Sequence, residues 1–137
     1  MPRLAWWGVP ALVGLLVGLV GTACGSPCDG SEDRLVPLSE MPCNMTDAEG
    51  VWESHPFPPI TDAQCYWLDF QGCSRYEIEH PLGRVPKEII GYTSFDSDGT
   101  FSTAASGNSF IIQEASASTV TIRNAQNQDF FLRLTLE

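Results

Sequence analysis

From residue 65 onward the chain is divided into short stretches of strand length, each bounded by turn-forming residues, and this texture restricts it to an all-β fold. The clearest stretch runs from Asp129 to Leu136: Phe130, Leu132, Leu134 and Leu136 fall on one side, and Phe131, Arg133, Thr135 and Glu137 on the other. Alternation with a period of two gives a strand one buried face and one wet face. The same spacing recurs in Arg75 to His80, where Tyr76, Ile78 and His80 alternate with Arg75, Glu77 and Glu79. Tyr66 to Gln71, Lys87 to Phe95, Thr100 to Ala104, Ser109 to Glu114 and Ser118 to Asn124 complete a set of about seven strands. Without a long amphipathic helix to compete, the expected architecture is a small antiparallel β-sandwich over residues 65–137.

The preceding segment reads differently. Pro37, Pro42, Pro56, Pro58 and Pro59 punctuate residues 37–64, and the apolar residues there follow neither helical nor strand spacing. This predicts an irregular segment, apart from a short helix over Thr46 to Trp52 with Thr46 or Asp47 as its cap. Residues 24–36, rich in Gly, Ser, Asp and Glu, read as a tether.

Cys28, Cys43, Cys65 and Cys73 form an even set, which in a small exported domain predicts two disulfides. Three connectivities are open, the nearest-neighbour one being Cys28 with Cys43 and Cys65 with Cys73. A zinc site combining cysteines with His55 or His80 is the competing use of these residues. No CxxC or HxxxH spacing supports it, and no metal is expected.

Export is indicated by the first 24 residues. Arg3 precedes an apolar run from Leu4 to Val20, followed by Gly21, Thr22, Ala23 and Cys24. The small residues running into Cys24 resemble the lipobox of bacterial lipoproteins, with Gly21 standing where that family prefers an aliphatic residue. The resemblance implies that residues 1–23 are a signal peptide and that the Cys24 thiol carries a diacylglycerol, with palmitate-type acyl chains holding the protein at the membrane. The apolar run is also long enough to span a bilayer as a helix, so a signal or anchor helix and plain cleaved secretion stay open beside lipidation. All three place the body outside the cytoplasm, since Arg3 favours the inner side.

Cleavage before Cys24 leaves 114 residues, enough for one compact domain. The chain carries 17 acidic and 7 basic residues, a formal net charge of −10. Phosphate binding needs clustered Lys and Arg, and none occurs, so nucleic acid is excluded as a partner.

Residues His80-Pro81-Leu82-Gly83-Arg84-Val85-Pro86, with the later stretches Ser118 to Arg123 and Phe131 to Leu134, resemble a β-rich module of bacteriophage tail and other virion proteins. The resemblance covers about residues 80–137 and implies a β-rich fold and a phage-encoded or virion-associated origin.

Catalytic signatures are weak. There is no Gly-x-Ser-x-Gly elbow, no His-Glu-x-x-His and no phosphate-binding glycine loop. Glu77 and Glu79 share a strand face, as a glycosidase pair would. Asp96, Asp98 and Gly99 resemble half of a calcium loop without its downstream acidic ligand. Trp52, His55, Phe57, Tyr66, Trp67 and Phe70 offer either a core or a binding patch. The expected function is that of an exported, lipid-anchored cell-envelope protein acting as a non-catalytic binding or structural module for a protein or glycan ligand. It requires no cofactor. A virion-associated structural protein and a small envelope hydrolase are the alternatives.

Overall fold

The computed structural model describes Cys28 and residues 32–137. The expected leader, the helix expected in it and Cys24 lie outside the described residues. Among the described residues ten strands form two sheets: β1 (Asp33–Val36), β2 (Met45–Thr46), β3 (Trp52–Glu53), β4 (Leu68–Phe70), β5 (Arg75–Glu79), β6 (Ile89–Ser94), β7 (Thr103–Ala104), β8 (Ile111–Ala115), β9 (Thr119–Arg123) and β10 (Phe130–Leu136). Among the described residues the only helical turns are short 3-10 segments, and no helix is long and apolar enough to cross a membrane.

The first sheet has the order β1-β5-β9-β8. The second runs β2-β3-β10-β6-β7, with β4 also paired to β10. Strand β10 is the hub of the second sheet because it bonds β6 along one edge and β3 and β4 in succession along the other. Its apolar row does what the alternation predicts: Leu132, Leu134 and Leu136 are buried and meet Tyr76, Ile78, Val120 and Ile122 from the first sheet in one core. Strand β5 obeys the same rule, with Tyr76 and Ile78 inward and Glu77 outward. Two partly exposed residues flank them. All seven strands expected from the sequence are present.

Three further strands precede residue 65. Asp33–Val36, within the expected tether, pairs with β5 in parallel, so the first sheet is not wholly antiparallel. Val36 and Met41 from this region, and Trp52, are fully buried in the core. The helix expected over Thr46 to Trp52 is instead a hairpin: Met45 pairs with Glu53 and Thr46 with Trp52. Asp47 does cap, but it caps a turn. Its Oδ1 accepts from the N–H groups of Glu49 (3.0 Å) and Val51 (2.8 Å), and Gly50 supplies a φ of +84°. An Asx side chain that bonds the backbone two and four residues on favours a turn over a helix.

Both disulfides form, but the nearest-neighbour pairing is overturned: Cys28 bonds Cys73 and Cys43 bonds Cys65. Cys65 precedes β4 and Cys73 follows it. An extended strand carries its ends roughly 3.3 Å apart per residue, too far for two cysteines whose Cα atoms must approach to roughly 6 Å. The observed loops are nested, one spanning 45 residues and the other 22 within it.

Candidate functional site

The most elaborate polar arrangement lies on the outer face of β10. Arg133 was expected on a wet face, yet its side chain is 0 % exposed. The strand is central in its sheet, and the segment after β3 covers that face. The guanidinium of Arg133 reaches Glu53 Oε1 at 2.6 Å and donates to the backbone carbonyl of His55 (2.7 Å) and to Thr135 Oγ1 (2.8 Å). Phe57 lies across it, with its ring centroid 3.8 Å from Cζ, and Tyr92 contributes a second ring at 5.5 Å. A buried cation needs a paired charge and hydrogen-bond acceptors, and this site supplies a carboxylate, two acceptors and a cation–π contact.

Ser54 and His55 border this arrangement and are buried. Ser54 Oγ accepts from Leu134 N–H (2.8 Å) and lies 2.9 Å from His55 Nδ1. Burial, reinforced by the nearby positive charge of Arg133, pushes the His55 pKa down to about 4. Its imidazole is neutral at physiological pH and a poor acceptor of a proton from Ser54. The arrangement joins the segment 53–57 to β10 and fixes Phe57 at the surface.

The expected aromatic patch separates accordingly. Trp52, His55, Trp67 and Phe70 are buried, whereas Phe57 and Tyr66 are exposed. Phe57 meets Tyr92 and Trp67 edge-on at 5.0 and 6.4 Å. Trp67 donates to the Pro56 carbonyl at 3.0 Å, so its polar atom is satisfied within the fold.

The acidic pair on β5 also divides. Glu79 accepts the Leu38 N–H at 3.1 Å, while Glu77 faces a groove of about 230 Å³ lined also by Asp33, Arg34, Leu35 and Arg75. The two cations of this groove are paired: Arg75 bonds Asp33 (3.3 Å) and Gln113 (3.0 Å), and Arg34 bonds Glu40 (2.6 Å). Neither histidine lines it. His80 sits beside Trp52, with ring centroids 6.3 Å apart, and burial lowers its proton affinity against backbone contacts from Ser116 and Thr119.

The loop containing Asp96, Asp98 and Gly99 is a self-satisfied turn. Asp98 Oδ1 accepts from Thr100 N–H (2.9 Å) and Thr100 Oγ1 (2.5 Å), and these bonds hold its pKa below the usual carboxylate range. Gly99 N–H bonds the Asp96 carbonyl at 3.0 Å. Among the described residues no group of three or more His, Cys, Asp or Glu is placed to hold a metal.

Two features of this loop escaped the sequence reading. Phe95 is 70 % exposed and Phe101 93 % exposed, and Phe101 adopts a φ of +56°. Both flank the Asp96 to Gly99 turn, and no periodicity in the sequence marks their exposure. No protein-family model matches the sequence, and neither a curated protein nor a solved structure matches the chain.

Proposed function

We propose that the protein is an exported, lipid-anchored component of the cell envelope that acts as a non-catalytic binding or structural module. The observation that carries this reading is the pairing of all four cysteines beyond Cys24 into two cross-links. Such bonds persist in oxidising compartments outside the cytoplasm, where the leader and Cys24 would direct the chain. A non-catalytic role is supported by the chemistry of the polar groups. Ser54, His55 and Arg133 are occupied in joining segments, Glu79 accepts from a backbone N–H, and Arg34 and Arg75 of the groove at β1 are paired with Glu40 and Asp33.

The likeness of residues 80–137 to a virion module does not favour a separate role. Gly83, with a φ of +66°, gives the His80 to Pro86 turn a geometric reason of its own. The strands of this segment also belong to sheets completed by β1 to β5.

The reading is tested by metabolic labelling with a radioactive fatty acid followed by membrane fractionation. The native chain is expected to carry label in the membrane fraction, and Cys24→Ala to lose it. An unlabelled native chain contradicts the lipid anchor.

A further inference from the structure

We propose that the loop from Phe95 to Phe101 is a membrane-contacting tip, and that the sandwich stands with this end against neutral phospholipid headgroups. The inference rests on the anchored reading above and adds an orientation and a second contact.

The fold brings the tip and the anchoring end of the chain to the same pole. Cys28 is bonded to Cys73, and its sulfur lies 3.2 Å from the Ala125 carbonyl. Cys73 N–H bonds Gln126 O (2.8 Å) and Gly72 N–H bonds Asp129 Oδ1 (2.8 Å), which fixes this corner to the start of β10. There Phe130 pairs with Phe70 and Phe131 with Ser94, so Phe95 leaves β6 at the same pole. The rings of Phe95 and Phe130 are 5.3 Å apart. Opposite, the β5–β6 connection carries Val85, also exposed.

Sequence spacing then sets the reach of the anchor. Cys24 is four residues from Cys28, a span of at most about 14 Å when fully extended. A lipid on Cys24 therefore holds this pole of the sandwich close to the bilayer surface.

The tip is held rigidly in shape. Ser94 Oγ donates to Thr100 O (2.6 Å), Trp67 N–H donates to Ser97 O (2.8 Å), and Gly99 lies so close to the Trp67 ring that an added Cβ would be 2.5 Å from it. This framework presents Phe101 in the left-handed region, a conformation unfavourable for a bulky side chain, with almost the whole ring in solvent. Exposed aromatic rings partition into the bilayer interface, where they would add an orienting contact to the acyl chains on Cys24. The loop carries Asp96 and Asp98 and no Lys or Arg, which favours neutral over anionic lipid.

The test places the photoreactive amino acid p-benzoylphenylalanine at position 101 or at position 85 of the full chain. Each protein is expressed in cells, reconstituted into phosphatidylcholine vesicles, irradiated and weighed by mass spectrometry. Adducts of phospholipid mass at 101 and none at 85 are expected. Fatty-acid label on the same samples reports the anchor independently. In labelled protein, adducts at neither position, at both equally, or to protein at 101 overturn the tip. Should the chain prove unlabelled and soluble, the anchor fails, and lipid adducts at 101 on mixing with vesicles still support the contact, whereas their absence overturns it.

Discussion

Arg133 shows how a single residue can connect two parts of a chain that sequence reading separates. It is the buried member of an ion pair whose other member, Glu53, is one-third exposed, and it bonds the backbone of His55. Arg133→Ala removes these bonds and leaves a void beneath Phe57. It is expected to cost about 3 kcal/mol of unfolding free energy, because truncating one partner of a buried pair strands the remaining polar groups. Urea denaturation checks this, and an unchanged midpoint would contradict it. His55 makes a second prediction. Its folded pKa of about 4 lies below the ordinary histidine value of 6.5, so the unfolded chain binds the proton more tightly. Stability is therefore full above pH 6.5 and falls as pH drops towards 4, by up to about 3 kcal/mol from this residue. Burial of His80 adds a loss of the same sign. His55→Gln is expected to flatten the pH dependence of the unfolding free energy in this window relative to its own value at pH 7, leaving the His80 share. A slope identical to that of the native protein would refute the assignment.

At the scale of elements, the two disulfides and β10 have distinct roles. Closing loops of 45 and 22 residues is worth roughly 4 and roughly 3.5 kcal/mol by chain entropy, and less together because one loop lies inside the other. Reduction is expected to raise hydrogen exchange in β1 to β3 more than in β5, β9 and β10, whose ladders are longer. Equal loss of protection throughout would contradict this. Removing residues from Asp129 onward takes away the hub that bonds β3, β4 and β6, and should abolish the cooperative unfolding transition. A native-like truncated protein, seen by near-ultraviolet circular dichroism, would show β10 to be peripheral. The strands most plainly legible in the sequence are those long enough to show alternation, such as Tyr76 with Ile78 and Leu132 with Leu134 and Leu136, whereas the two-residue β7 is marked only by the turn before it. Strands β2 and β3 contain two residues each, too few for any period; β3 forms on the edge of β10, and β2 in turn pairs with β3 across the Asp47 turn. Strand β1 carries only Leu35 and Val36 as apolar residues, and its pairing with β5 is non-local. Arg133 was misread for a related reason: alternation tells which residues share a face, but not that chain from residues 53–57 covers the second face. The aromatic tip left no trace in the pattern, since exposure of Phe95 and Phe101 depends on where the loop points.

For the whole molecule, the cross-link at Cys28 changes the picture of the tether. A flexible spacer through residue 36 would let the sandwich stand off from the bilayer, whereas Asp33–Val36 is a strand and Cys28 is bonded to Cys73. In the proposed anchored protein, Cys24 lies only four positions before the cross-link at Cys28. A formal net charge of −10 disfavours attraction to anionic lipid, so the proposed attachment would rest on acyl chains and apolar contact. The central claim is most directly tested by mass spectrometry of the N-terminal peptide of the protein isolated from membranes. The account predicts a peptide beginning at Cys24 with a diacylglycerol on its sulfur. A peptide retaining residues 1–23, or one beginning at an unmodified residue, would contradict it.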